Sequence, residues 1–140
     1  MEEAFRKYLG KGKSAYIDKR RLSPEEALCR IREAGGISVI AHPVQMKLAE
    51  AALSKALEHL QAAGLGGIEV YNSCQNRHQA ELYKRLAKRF NLLITGGSDF
   101  HGANKPDVEL GYLGEGVELG REVVEAMKKS LVKRGRNGVG

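Results

Sequence analysis

Residues 91–102 read NLLITGGSDFHG, an apolar run that ends in a carboxylate, Asp99, and an imidazole, His101, two positions apart. Such a run is typical of a strand buried in a parallel sheet, and α/β folds place their functional sites at the carboxyl ends of these strands. Side chains two positions apart in an extended segment project to the same side, so we expect both groups to converge on one point. A carboxylate with an imidazole suits Mn²⁺, Zn²⁺ or Fe, and a surface turn is the alternative interpretation.

The residues upstream of this run predict an alternation of helices and strands. Helices are predicted over residues 24–34, 48–63 and 77–90, and strands over residues 37–41, 67–71 and 91–95. Short connections between such elements require parallel pairing with right-handed crossovers. Three parallel strands cannot close a barrel. The α/β chain is therefore either an open three-layer sheet or the C-terminal part of a larger barrel.

The first predicted helix has a strong start signal. Ser23 is a capping residue, Pro24 suits the first helical position, and Glu26 follows the cap by three residues and completes a capping box. We therefore expect the helix to begin at Pro24. The preceding residues, 1–22, form a separate entry segment that is basic and polar.

Composition places the chain among ordinary globular proteins. Its 140 residues are 42% hydrophobic and 29% charged, and no apolar stretch approaches the length that spans a bilayer. The two cysteines, Cys29 and Cys74, are too far apart for a C-x-x-C motif. We expect a reduced, cytoplasmic protein that does not associate with membranes.

The net charge of +6 is concentrated at the C-terminal end. From Arg121 onward the chain holds six basic and two acidic residues, and a helix is predicted over residues 121–132. Cations near the end of a helix are favoured by its dipole, so a solvated helix face is the simplest interpretation. A basic nucleic-acid-binding domain is the alternative function that this charge suggests.

Polar side chains follow each of the three predicted strands. His42 follows the first strand, Glu69 and Asn72 lie at the end of the second, and Asp99 and His101 follow the third. Since the carboxyl ends of parallel strands meet at one edge of a sheet, these side chains become neighbours in space. A lone histidine is more often a core or capping residue, but Pro43 stops the strand directly after His42 and leaves the imidazole at the strand tip.

Three motifs resemble those of the PHP-family phosphoesterases, in particular the TrpH-like or RNase AM-like branch. They are GGISVIAHP at residues 35–43, GIEVYN at residues 67–72 and TGGSDFHG at residues 95–102, and the similarity covers about residues 5–113. The resemblance implies the C-terminal part of a distorted (β/α)₇ barrel. Residues 1–22 would then be the end of a helical insert, and residues 23–140 the C-terminal half of the barrel with a basic C-terminal helix.

The same resemblance implies metal-dependent hydrolysis of phosphate esters of nucleotides or oligonucleotide ends. The residues that match metal ligands, and would be catalytic through the bound metal, are His42, Asp99 and His101. The candidate substrate-binding residues are Asn72, His78 and Lys105. A solvated histidine at a helix start and a solvated loop lysine are the alternative interpretations of the last two. Glu69 matches a carboxylate that hydrogen bonds within the barrel rather than a ligand.

The sequence departs from the family pattern in one respect. The family opens with H-x-H near its first strand, whereas the four histidines here form neither H-x-H nor H-x-x-x-H. We therefore expect a fragment, inactive alone, that binds at most one of the two or three Mn, Zn or Fe ions of the full-length enzyme.

The partners that the resemblance implies are a phosphorylated small molecule or oligonucleotide end and the N-terminal half of the same barrel. Unpaired strand edges would also favour self-association. A non-catalytic PHP-like scaffold module is the main alternative function. The pairing of A-H-P with G-S-D-F-H-G argues against another metal-dependent hydrolase barrel, such as an amidohydrolase.

Overall fold

Three parallel strands form the sheet of this protein. The structure, a computed structural model, describes residues 2–18, 21–114 and 117–137. The strands are β1 (Val39–Ile40), β2 (Gly67–Asn72) and β3 (Leu93–Gly97), and they pair in the order β1-β2-β3. Both pairs are parallel, with β2 in the middle, which confirms the predicted α/β order. Within the described ranges, β1 and β3 are the edges of this sheet.

The four predicted helices are present, with α5 extending beyond residue 132, and a short helix near the start of the chain was not predicted. They are α1 (Glu2–Ala4), α2 (Pro24–Glu33), α3 (Glu50–Ala62), α4 (Arg77–Arg89) and α5 (Arg121–Asn137). A π-helical turn, Phe5–Leu9, follows α1, and short 3₁₀ turns cover Pro43–Met46 and Gly102–Asn104. No helix in the described parts of the chain combines the length and the apolar character needed to cross a membrane.

Capping fixes the starts of α2 and α4. The predicted box at α2 is present: the backbone amide of Ser23 donates to Glu26 Oε2 at 2.7 Å, and the amide of Glu26 donates to Ser23 Oγ at 3.1 Å. A second box, not anticipated, joins Asn76 and Gln79 at α4, with both distances at 2.9 Å. Because each box satisfies two otherwise unpaired backbone amides, the two helices begin at defined residues.

Two strand predictions need correction. The strand predicted over residues 37–41 contains only Val39–Ile40, because β2 begins at Gly67, opposite Val39, and the chain takes a left-handed conformation at His42. The third strand begins at Leu93 and continues past residue 95 to Gly97. It passes very close to β2 at Gly96, where an added Cβ would lie 2.8 Å from the carbonyl oxygen of Tyr71, so only glycine fits.

The hydrophobic core surrounds β2. Ile68, Val70 and Leu57 are completely inaccessible to solvent. The remaining buried apolar residues come from the helices and from the loops that enter the strands: Leu28, Leu53, Leu65, Tyr83, Leu86, Ala87 and Leu92. Strand β2 is therefore held by pairing on both sides and by core packing. The backbone that carries the residues at its carboxyl end is rigid for the same reason.

Candidate functional site

Glu69 links the ends of the first two strands. Its Oε2 accepts one hydrogen bond from the backbone amide of His42, at 2.5 Å, and another from Nδ2 of Asn72, at 3.1 Å. Asn72 is only 1% exposed, and its Oδ1 in turn accepts from the amide of Cys74 at 2.9 Å. These contacts agree with the expected role of Glu69 as a hydrogen-bonding carboxylate within the fold.

His42 occupies an unfavourable backbone conformation. Its φ of 33° and ψ of 61° lie in the left-handed region, directly before the buried Pro43. Left-handed geometry is uncommon for a residue other than glycine, and a following proline favours extended backbone instead. The hydrogen bond to Glu69 and the burial of Pro43 hold the residue there. Strain of this kind is concentrated at functional sites in proteins.

Asp99 and His101 lie together, but not for the reason predicted from the sequence. The strand ends at Gly97, and Asp99 has a left-handed φ of 56°, so the assumption of an extended segment through residue 101 is wrong. A turn brings the groups together instead. Nδ1 of His101 lies 2.6 Å from the backbone oxygen of Asp99 and 3.7 Å from its Oδ1.

Ser98 anchors this turn to its surroundings. The residue is buried, its carbonyl accepts from Ser73 Oγ at 2.7 Å, and its own Oγ accepts from the amide of Gly111 at 3.3 Å. The first contact reaches the segment after β2, and the second reaches the loop that follows the turn. The position of Asp99 is therefore set by a neighbouring residue with fixed partners.

Lys105 pairs with Asp99. Its Nζ donates to Asp99 Oδ2, while the two side chains are 38% and 19% exposed. The Lys105 hydrogen bond lowers the pKa of Asp99, and the nearby charges of His101 and His42 lower it further. The same hydrogen bond raises the pKa of Lys105. Asp99 is therefore a carboxylate and Lys105 an ammonium at neutral pH.

The predicted site residues thus form two adjoining groups. The backbone amide of His42 and the side chain of Asn72 meet at Glu69, whereas Asp99, His101 and Lys105 meet at the end of β3. His78 is exposed on the first turn of α4, and none of the hydrogen bonds among the described residues joins it to either group.

Two imidazoles and a carboxylate are suitable donors for a divalent cation. Over residues 2–18, 21–114 and 117–137, however, no three His, Cys, Asp or Glu side chains are grouped closely enough to hold a metal ion. The donors fit such an ion in kind, and they do not by themselves form a complete set.

Sequence reasoning missed Gln75. This residue lines a cavity of about 780 Å³ beside the end of β2 and the start of α4, together with Asn72, Asn76 and Arg77. Both polar atoms of its side-chain amide are buried and have no hydrogen-bond partner among the described residues. No sequence signal identifies such a residue, because the cavity that it lines is also lined by Leu113 and Val117, which are distant in the sequence.

Comparison with known proteins finds relatives that are named as an exoribonuclease and a phosphatase. No family model matches the chain. A protein of Haemophilus influenzae named 5'-3' exoribonuclease is 36% identical over 99 residues, which are 71% of this chain and 36% of that protein. A 3',5'-nucleoside bisphosphate phosphatase of Chromobacterium violaceum is 34% identical over 112 residues, 80% of this chain and 39% of that protein. The chain thus spans less than half the length of the curated relatives it matches.

Two solved structures are also similar to this chain. An amidohydrolase from Chromobacterium violaceum, with bound sulfate and no metal, superimposes with a TM-score of 0.66 at 30% identity, covering 95% of this chain and 44% of that one. A proposed metal-dependent phosphoesterase from Bifidobacterium adolescentis gives a TM-score of 0.64 at 29% identity, covering 90% and 43%. The similarity in three dimensions therefore extends over almost the whole chain.

Proposed function

This chain belongs to the PHP family of phosphoesterases, and on that premise we propose that it forms the C-terminal part of a distorted (β/α)₇ barrel. The activity we propose is the metal-dependent hydrolysis of phosphate esters of nucleotides or oligonucleotide ends, in the cytoplasm. The observation that carries the proposal is that the carboxyl ends of the three parallel strands are linked by polar contacts: Glu69 accepts from the backbone amide of His42 and from the side chain of Asn72, and Ser73 donates to the carbonyl of Ser98.

Three residues are proposed to hold a divalent cation: His42, Asp99 and His101. When bound, such an ion stabilises charge on phosphoryl oxygens and activates water. Asp99 offers an ionised carboxylate. Nδ1 of His101 faces the backbone oxygen of Asp99, which fixes the proton on Nδ1 and leaves Nε2 as the lone-pair nitrogen for a ligand. Mn, Zn and Fe all suit this donor chemistry.

The roles of the neighbouring residues follow from their surroundings. Asn72 is almost fully buried and engaged at both ends of its amide, so we assign it to positioning Glu69 and the segment after β2 rather than to direct contact with substrate. His78 is exposed on α4 and remains a proposed substrate contact. Lys105 carries a positive charge beside the candidate ligands and is proposed to lie near the phosphate.

The incomplete donor set supports a further part of the proposal. Three protein ligands satisfy at most one catalytic ion, whereas a phosphoesterase that uses two metals needs more donors. We propose that the other donors come from the N-terminal half of the same barrel, paired along an edge of the sheet. Exposed strand edges also favour self-association of the isolated chain, which sedimentation would detect.

Metal titration and a hydrolysis assay test this function together. Calorimetric titration of the chain with Mn²⁺ and with Zn²⁺ is expected to show at most one weak site, and Asp99→Asn is expected to abolish it. Nucleoside 3',5'-bisphosphate should be hydrolysed slowly or not at all by the chain alone. Robust turnover that is lost in His42→Ala would contradict the fragment proposal, and metal binding that survives Asp99→Asn would contradict the proposed ligand set.

A further inference from the structure

The contact between Lys105 and Asp99 differs from an ordinary surface ion pair. Lysine side chains are mostly solvated and exposed ion pairs are usually loose, but here the ammonium rests on a carboxylate that is only 19% exposed. The other carboxylate oxygen faces Nδ1 of His101 at 3.7 Å. Both oxygens of Asp99 are therefore approached by nitrogen groups of the same loop.

The backbone of the loop directs Lys105 back towards Asp99. The 3₁₀ turn Gly102–Asn104 reverses the chain, with Gly102 in the left-handed conformation at a φ of 57°. The amide of Lys105 donates to the carbonyl of Gly102 at 3.0 Å. Pro106 follows and disfavours a helical conformation at Lys105, whose φ of −137° and ψ of 74° lie outside the helical region. Local sequence thus fixes where the ammonium is presented.

This arrangement has a consequence for any cation that binds Asp99. An oxygen that accepts a hydrogen bond from an ammonium has that lone pair engaged. A divalent cation at the same oxygen would also lie within a few ångströms of a positive charge, which repels it. Oδ2 of Asp99 can therefore bind a cation only when Lys105 moves away, and a cation at Oδ1 would still be repelled by the ammonium.

We propose that Lys105 is a positioning residue that competes with a divalent cation for Asp99 and thereby sets the cation affinity of the site. The inference rests on the proposed function, since it takes Asp99 as a ligand. In this arrangement the cation exchanges with the ammonium, and the released ammonium becomes available to an anion. Lys105 thus acts through Asp99 rather than as a ligand.

Mn²⁺ titration of a neutral variant tests the exchange. Lys105→Met is expected to bind Mn²⁺ about tenfold more tightly than the unmodified chain, since a competing charge a few ångströms away is removed. The matched control is Lys47→Met, which removes an exposed lysine from the loop after His42 and is expected to change affinity less than about twofold, because a solvated charge is screened. Equal gains in both variants would show a general charge effect and overturn the proposal.

A second readout uses the unmodified chain and does not depend on how the variants fold. Acylation of lysines, followed by mass spectrometry, is expected to modify Lys105 more with saturating Mn²⁺ than without it, while modification of Lys47 stays constant. Unchanged modification of Lys105 under conditions where Mn²⁺ binds would overturn the exchange.

The titration of Asp99→Asn distinguishes a failure of the ligand assignment from a failure of the exchange between Lys105 and the cation. If Mn²⁺ binding survives that substitution, the ligand assignment fails. If binding is lost in Asp99→Asn yet Lys105→Met binds no more tightly than the unmodified chain, only the exchange fails. Absence of Mn²⁺ binding in both the unmodified chain and Lys105→Met would contradict both.

Discussion

The carboxyl ends of β2 and β3 lie at the same end of the sheet, but different interactions hold the residues there. At the end of β2, Asn72 is buried and engages Glu69 and the Cys74 amide through its side chain. At the end of β3, Asp99 and Lys105 form an ion pair in contact with solvent. The first group is held by hydrogen bonds that are costly to leave unmade, and the second by a charge interaction that water can replace. We infer that the residues at the end of β2 form a rigid framework, whereas those at the end of β3 can exchange their partners.

The largest stability effect is expected at the β2 end. Asn72→Ala removes a nearly inaccessible side chain and leaves the Cys74 amide and Glu69 without one partner each. Loss of buried partners and the resulting space should lower the free energy of unfolding by about 2–3 kcal/mol. Urea denaturation followed by circular dichroism measures it. The matched control is Asn104→Ala in the exposed loop after β3, and equal losses in both variants would remove the distinction between the two ends.

An intermediate effect is expected at Ser98, which underlies the β3 group. Ser98→Ala deletes the hydroxyl that accepts from the Gly111 amide at 3.3 Å but keeps the carbonyl that accepts from Ser73. One hydrogen bond of this kind should contribute about 1 kcal/mol to the free energy of unfolding. The same denaturation experiment tests it. A loss as large as that of Asn72→Ala would show that the turn at Asp99 is as rigid as the framework.

The smallest effect is expected from the ion pair, and it depends on pH. The pKa of Asp99 is lowered by Lys105, so the stabilisation is present above the ordinary aspartate pKa and is lost as the pH falls through the lowered value. The pKa of Lys105 is raised, so at the alkaline end the stabilisation is fully present below the ordinary lysine pKa and is lost as the pH rises through the raised value. Unfolding midpoints of the unmodified chain and Asp99→Asn should differ slightly at pH 7 and converge as the pH falls through the lowered pKa of Asp99. A difference that grows on acidification would contradict the assignment.

Features governed by neighbouring residues in the sequence could be predicted. Ser23, Pro24 and Glu26 define the start of α2 through contacts within one helical turn, and the structure shows that capping box. The order and parallel pairing of the strands also follow from short connections. By contrast, the length of β1 depends on where β2 begins in another segment, since Gly67 lies opposite Val39.

In the candidate site, too, contacts between neighbouring residues could be predicted and contacts that depend on the path of the chain could not. The proximity of Asp99 and His101 was predicted, since two positions are too few to separate them, but the left-handed turn that joins them was not. The ion pair of Lys105 with Asp99 requires the path of the loop from Gly102, which periodicity does not reveal. The surroundings of Gln75 could not be predicted either, because the cavity that it lines is also lined by Leu113 and Val117, far along the chain.

The pairing of β2 with β3 contains one irregularity, between Glu69 and Tyr71. Glu69 lies opposite Thr95 and Tyr71 opposite Gly96, so Val70 is an extra residue on β2. Side chains on a regular strand alternate between two faces, so residues three positions apart, such as Glu69 and Asn72, would face opposite sides. One unmatched residue reverses this alternation, and Val70 lies between Glu69 and Asn72. The irregularity therefore accounts for the hydrogen bond between these two side chains.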